Sequence, residues 1–249
     1  MAAIRRLVRR HPRWGHRRIH ARLGATGWRV NRKRVRRLMT ALGCRPRRRM
    51  KPLARKGFPG TGGNACVARP ATARNDVSAC DFIHGRTHSG GPLRWLSVVD
   101  EYTREMLVLR PASAVTAADV RRVLARLVGR RSRPRAVRSD NGSEFVGSAV
   151  AEWLASRGME LMAVAPASPR QNGYVESFHG KLRDEFLDRS VFVDVADAAA
   201  QAEWYRREYN TVRPHSGLGY RTPQAFAATC GSAGMNTPGG RTPPTPTSA

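Results

Sequence analysis

Three carboxylates have the type and surroundings for chemistry: Asp81 in ACDFI, Asp140 in RSDNGSEF and Glu176 in NGYVESFHGKLRDEF. Singly, each has an ordinary reading, because Asp-Asn-Gly makes turns, a strand Asp is often a hydrogen-bonded structural acid and a helical Glu is usually solvated. Brought together, three acids repel unless one is protonated or a divalent cation neutralises them. Hard oxygen donors facing a phosphate favour magnesium, with manganese as a substitute.

The elements that must position these acids follow from pattern. Val77 to Ile83 is a short apolar run, Leu93 to Asp100 follows the turn signal at Gly90 to Pro92, and Glu105 to Arg110 follows a tight connection. These read as three antiparallel strands. Thr116 and Asp119 make a capping-box start for a helix whose Val120, Val123, Leu124, Leu127 and Val128 share a face. A strand over 135–139, a helix over 145–157, a strand over 160–164 and a helix over 172–187 complete the order. An α/β fold with a mixed five-stranded sheet and flanking helices is implied. Asp81 then lies mid-strand, Asp140 at the end of a strand and Glu176 on the last helix. On that helix Val175, Phe178, Leu182 and Phe186 make a buried stripe, and Asn172, Glu176, His179 and Arg183 share the adjoining face.

Charge divides the chain. Of 45 Lys and Arg, 23 lie in residues 1–75, which hold no acid; residues 76–249 hold 22 basic and 18 acidic side chains. A bias toward Arg in composition explains Arg over Lys but not the missing acids. A polycation of this density needs a polyanion, and nucleic acid is the usual one. Within residues 1–50, HRRIHARL and NRKRVRRLMTAL flank a Gly-containing connection, with Asn31 a candidate N-cap and Gly43 a candidate C′ residue. Val35, Leu38, Met39 and Leu42 fall on one face and leave Arg32, Lys33, Arg34, Arg36 and Arg37 on or beside the outer one. The pattern fits either a helix-turn-helix, whose second helix enters a major groove, or a helix that binds phosphates without sequence preference. Residues 51–75 read as a basic linker, 76–228 as the catalytic unit and 229–249 as a disordered low-complexity tail. Four widely spaced cysteines give neither a disulfide framework nor a zinc knuckle, and His11, His16, His20 and Cys44 lack zinc-ligand spacing. No membrane span or signal peptide is legible, so a cytoplasmic, nucleoid-associated protein is expected.

Thirty-five residues separate Asp140 from Glu176, and DNGSEF, PRQNGYVESFHGKLRDE and YNTVRPHSGLGYRTPQAF occur in that order. In these strings the chain closely resembles the bacterial insertion-sequence transposases with a retroviral-integrase-like core, of the insertion-sequence-three type, second-frame protein. The resemblance runs from about His11 to about Ala227. It implies a ribonuclease-H-like sheet preceded by a small helix-turn-helix domain, with the D, D, thirty-five, E triad falling on Asp81, Asp140 and Glu176. It also implies two metal ions, cleavage of insertion-sequence ends and strand transfer, and a basic residue two helical turns after the Glu at Arg183. Arg183, His179 and Asn172 are expected to face DNA, while for Arg213 and His215 in YNTVRPH a DNA-facing and a core-bracing role both stay open. Implied partners are double-stranded DNA, both terminal inverted repeats and target, further copies of the chain on that DNA, and a first-frame partner protein. A DNA-binding relic with a dead core and a nuclease that cuts without joining are the competing readings. Members commonly carry tryptophan where Ser78 and Cys80 stand, from which an underpacked first strand and a weakly active copy are expected. The chain also begins close to the first matched helix, so upstream residues of fuller members are expected to be missing.

Overall fold

The computed structural model describes residues 1–44, 46, 69–139, 149–163 and 173–231, the side chains of 173–176 excepted. Asp140, Asn172 and the segment 232–249 therefore lie outside the described residues, as does the Glu176 side chain. The N-terminal region holds three helices, α1 (Ala2–Arg10), α2 (His16–Ala25) and α3 (Arg32–Ala41). Asn31 caps α3 by accepting from the Lys33 amide at 2.7 Å. Gly43, at φ 63°, closes the helix, and the Cys44 and Gly43 amides return to the Met39 and Thr40 carbonyls. Only a residue free to enter the left-handed region makes that stop cheaply. Ile4, Trp14, Ile19, Leu23, Val35 and Met39 form the small core of this unit.

The sheet has the order β3-β2-β1-β4-β5, from β1 (Val77–Arg86), β2 (Pro92–Asp100), β3 (Met106–Ala112), β4 (Ala136–Ser139) and β5 (Glu160–Ala163). β1 pairs antiparallel with β2 and parallel with β4, so the sheet is mixed as expected. The connections carry α4 (Ala117–Arg130), α5 (Ala149–Ser156) and α6 (Gly173–Glu185), followed by α7 (Val195–Thr211) and α8 (Pro223–Thr229). The Thr116 and Asp119 capping box forms in full. Thr229 ends α8, so ordered structure runs one residue into the stretch read as tail.

Alternation along β1 sends residues to two cores. Ile83 joins Trp95, Met106, Phe178, Leu182, Phe186, Tyr205 and Tyr209 under α6 and α7. Cys80 joins Leu96, Val98, Val123, Leu124, Val137 and Leu154 under α4 and α5. Ser78 and Cys80 are 2% and 1% exposed. Cys80 lies within a cluster of aliphatic side chains, so its face of β1 is closed to solvent. The segment read as linker is corrected in part. Thr72 donates through its amide and hydroxyl to Asp76, Arg69 pairs with Asp76, and the Arg69 carbonyl accepts from Arg138, so residues 69–75 are bound to the sheet.

α7 has no counterpart among the sequence-derived elements. Its Ala198, Ala202, Tyr205 and Tyr209 are buried at helical spacing, and Asp194 caps it by accepting from the Asp197 amide. Asn210 at its end holds β3, accepting from the Met106 amide and donating to the Met106 carbonyl.

Candidate active site

Asp81 sits on the β1 face that α6 covers, with its side chain 16% exposed. One carboxylate oxygen accepts from the Phe82 amide at 2.6 Å, and the other lies 3.4 Å from His179 Nδ1. The opposite ring nitrogen, Nε2, is 3.0 Å from the Ser97 hydroxyl, which also lies 3.1 Å from the Asp81 carbonyl. Ser97 reaches both because the hairpin register sets it directly across from Asp81. Burial first, and the charge of Arg183 second, push His179 down to about 4. The imidazole is neutral at physiological pH and braces the carboxylate against β2.

His179, expected to face DNA, stands here against Asp81 and Ser97 with its side chain 16% exposed. Arg183 stays half-buried on α6, and neither neighbouring acid is spent on it among the described residues. Asp184 instead accepts from Arg13 at 2.8 Å, and Glu185 takes Arg18 at 2.8 Å and Arg213 at 2.6 and 2.7 Å. Arg213 is 2% exposed and ion-paired with Glu185, and His215 is 8% exposed at the edge of the same packed region, a burial that suits the core-bracing role. Burial alone would raise Glu185, but Arg213 and Arg18 overcome it and hold the carboxyl at about 2. His215 is pushed down to about 3 by burial, then by Arg213, Lys181 and Arg104.

These ion pairs join the N-terminal helices to the core. Arg10 and His11 meet Glu208 of α7 at 3.1 and 3.2 Å, beside the Arg13 and Arg18 contacts to the end of α6. Val212 packs against the N-terminal core from the other side of the junction. The five basic residues Arg32, Lys33, Arg34, Arg36 and Arg37 of α3 remain exposed. The sequence reading passed over Ser97, which belongs to no motif and gains its role from register, and it gave Glu185 no long-range role, which comes from packing.

β4 ends at Ser139, and its neighbour Arg138 pairs in register with Ala79, two residues before Asp81. An acid-bearing sheet of this topology, entered by a three-helix basic unit, matches known families along its length. A helix-turn-helix-like domain matches residues 1–52, and integrase core domains match 71–169 and 157–223. An insertion element IS407 protein of Burkholderia multivorans is 36% identical over 227 residues, covering 91% of this chain and 80% of that one. The chain belongs to the insertion-element transposase family. A second relative of this family, an insertion element IS476 protein of Xanthomonas euvesicatoria, is 35% identical over 91% of this chain and 64% of its own length. The transposase for insertion sequence element IS904 of Lactococcus lactis is 29% identical over 86% of this chain and 87% of its own. Among solved structures, a simian T-cell lymphotropic virus intasome superposes with a TM-score of 0.54 at 16% identity, over 73% of this chain and 63% of that one. The fold is thus the ribonuclease-H-like one of retroviral integrases. The transposase is a DDE-type polynucleotidyl transferase by family, acting on DNA. No helix among its described residues is long and apolar enough to cross a membrane.

Proposed function

We propose that this transposase cleaves and joins DNA at the ends of its insertion element through Asp81, Asp140 and Glu176. The observation that carries the reading is the setting of Asp81. Its carboxylate is fixed by the Phe82 amide and His179 on the sheet face beneath the helix that bears Glu176, beside the strand that leads to Asp140. A carboxylate already oriented by a backbone donor and an imidazole keeps lone pairs for a hard cation, and the other two proposed donors are oxygen as well. Asp81, Asp140 and Glu176 would hold divalent magnesium, two ions on this reading, which would supply activation of the attacking oxygen and stabilisation of the leaving one. The Asp81 carboxylate is held by the Phe82 amide and by His179, whose far ring nitrogen meets the Ser97 hydroxyl. Arg183, half-buried one turn beyond His179, would hold a non-bridging phosphate oxygen, with Asn172 a further DNA contact.

The α3 side chains Arg32, Lys33, Arg34, Arg36 and Arg37 would meet DNA phosphates and the major groove. Terminal inverted repeats and target, a homo-oligomer assembled on them, a first-frame partner and a nucleoid location complete the reading. A strand-joining assay decides it: the full chain, a 3′-hydroxyl donor end from the element and magnesium should give joined product. Cutting without joining would favour the nuclease reading, and binding with neither would favour the relic.

A further inference from the structure

A second feature of the same sheet face lies two residues back along β1. Between β1, β2, α6, α7 and the turn after Arg213 is a cavity of about 210 Å³. Its walls are apolar and aromatic: Ala79, Val99, Phe178 and Tyr209. Phe178 and Tyr209 meet edge to face, their ring centroids 5.8 Å apart. Glu101 and His215, 4% and 8% exposed, line this space, and each carries a buried polar atom, Glu101 Oε2 and His215 Nδ1, that has no hydrogen-bond partner among the described residues. The other Glu101 oxygen is already taken by Arg138 Nε at 2.7 Å. Leaving a buried acceptor unmade is costly, so such atoms commonly mark a place where something else completes the bond. Arg104 and Lys181 also line the space and give it a cationic side.

These properties select the occupant. The volume falls below that of ordinary ligand clefts, ~300–1,000 Å³, and suits one flat ring system rather than a whole nucleotide. Aromatic walls favour a π-face, Glu101 Oε2 asks for an N–H donor, and the cations ask for an adjoining negative charge. Ala79 and Asp81 project from the same face of β1, separated by two residues or about 7 Å. A ring at the cavity would therefore be carried by a nucleotide next to the phosphodiester at Asp81.

We propose that the cavity receives one unstacked DNA base bearing an exocyclic amine, which donates to Glu101 and lies against Phe178 and Tyr209, while Lys181 and Arg104 take its phosphate. The proposal rests on the catalytic reading of Asp81 for the position of the strand. Holding a base out of the stack would fix the scissile phosphate against sliding, at a cost in unstacking that is least near an unpaired end.

The test uses the full chain with calcium in place of magnesium and a duplex whose splayed end carries 5-iodocytosine, irradiated and mapped by mass spectrometry. Adducts are expected on Phe178, Tyr209 or His215. Two variants fill the space without touching Asp81: Ala79→Leu at the floor, and Gly217→Leu, whose Cβ would stand 3.4 Å from His215 Nδ1 in an exposed turn. Each should lower the adduct yield about tenfold while duplex affinity stays within about twofold. Asp81→Asn should keep the adducts while losing cleavage, so the two readings fail separately. Adducts elsewhere, or undiminished in both filled variants, would overturn the proposal. A parallel arm with 5-iodo-deoxycytidine monophosphate separates a free nucleotide from DNA: strong labelling there that the duplex does not compete away would overturn the DNA assignment.

Discussion

Ser97 is uncharged and belongs to no motif, yet its hydroxyl touches both the Asp81 carbonyl and the His179 ring. Groups that orient a proposed metal ligand usually matter about 10–100-fold in metal affinity or activity. Ser97→Ala should therefore slow magnesium-dependent cleavage by about that factor with DNA affinity unchanged, read from single-turnover rates beside a binding titration. An unchanged rate would show that His179 holds Asp81 without it. Replacing the proposed ligands themselves has a larger consequence. Asp81→Asn, Asp140→Asn and Glu176→Gln each remove a charge and little volume, so each should abolish cleavage and leave filter-bound DNA at wild-type levels. A variant that cut at near-wild-type rate would lose its residue the assignment.

Among the elements, β1 and α6 decide most. Cys80 is closed in by Leu96, Val98, Val123 and Val137. A tryptophan there meets a core closed around a small residue. Cys80→Trp should lower the melting temperature through overpacking, which typically costs about 1–3 kcal/mol; a rise would show that unfilled space remains. α6 ends in Asp184 and Glu185, which anchor Arg13, Arg18 and Arg213. Removing one partner of such a buried group leaves uncompensated charge, and Glu185→Gln should cost about 3–5 kcal/mol in a urea titration. The carboxyl is held at about 2 in the folded chain against an ordinary 4.5. A depressed carboxyl stabilises fully above its unfolded value, and that share, on the order of 3 kcal/mol, is lost as pH falls from ~4.5 toward ~2. The Gln variant should lack that part of the acid limb, and identical limbs in the two proteins would remove Glu185 as its source.

For the whole molecule the unequal charge matters most. Residues 1–68 hold 21 of the 45 basic side chains and no acid. Some of that charge is spent internally, on Asp184, Glu185 and Glu208, while the α3 arginines stay exposed. Deleting residues 1–68, and not 1–75, keeps the Arg69 to Asn75 segment that binds Asp76 and Asp100. The shortened chain should lose most duplex affinity, and its log affinity against log salt should flatten, because fewer counterions are released. Equal slopes for both chains would place the phosphate contacts on the core.

What local signals fix was readable before any coordinates. Asn31, Gly43, Thr116 and Asp119 start or stop helices through bonds to neighbours a few residues away, and the strands around Asp81 follow from apolar runs between turns. The five-stranded mixed sheet and the spacing of the three acids belong to the same class. α7 was legible in principle, from Asp194 before Ala198, Ala202, Tyr205 and Tyr209, but its alanine-rich stripe is weakly apolar and its period was easily passed over. Roles set by long-range contact were not readable. Arg213 and His215, whose DNA-facing and core-bracing roles the sequence leaves open, are buried; Glu185 looks like a solvated helical acid and holds two arginines. Ser97 becomes a partner of His179 because the β1–β2 register sets it opposite Asp81. A side chain's type says which bonds it can make, whereas the packing of distant elements removes water from some of them and so decides which bonds it must make.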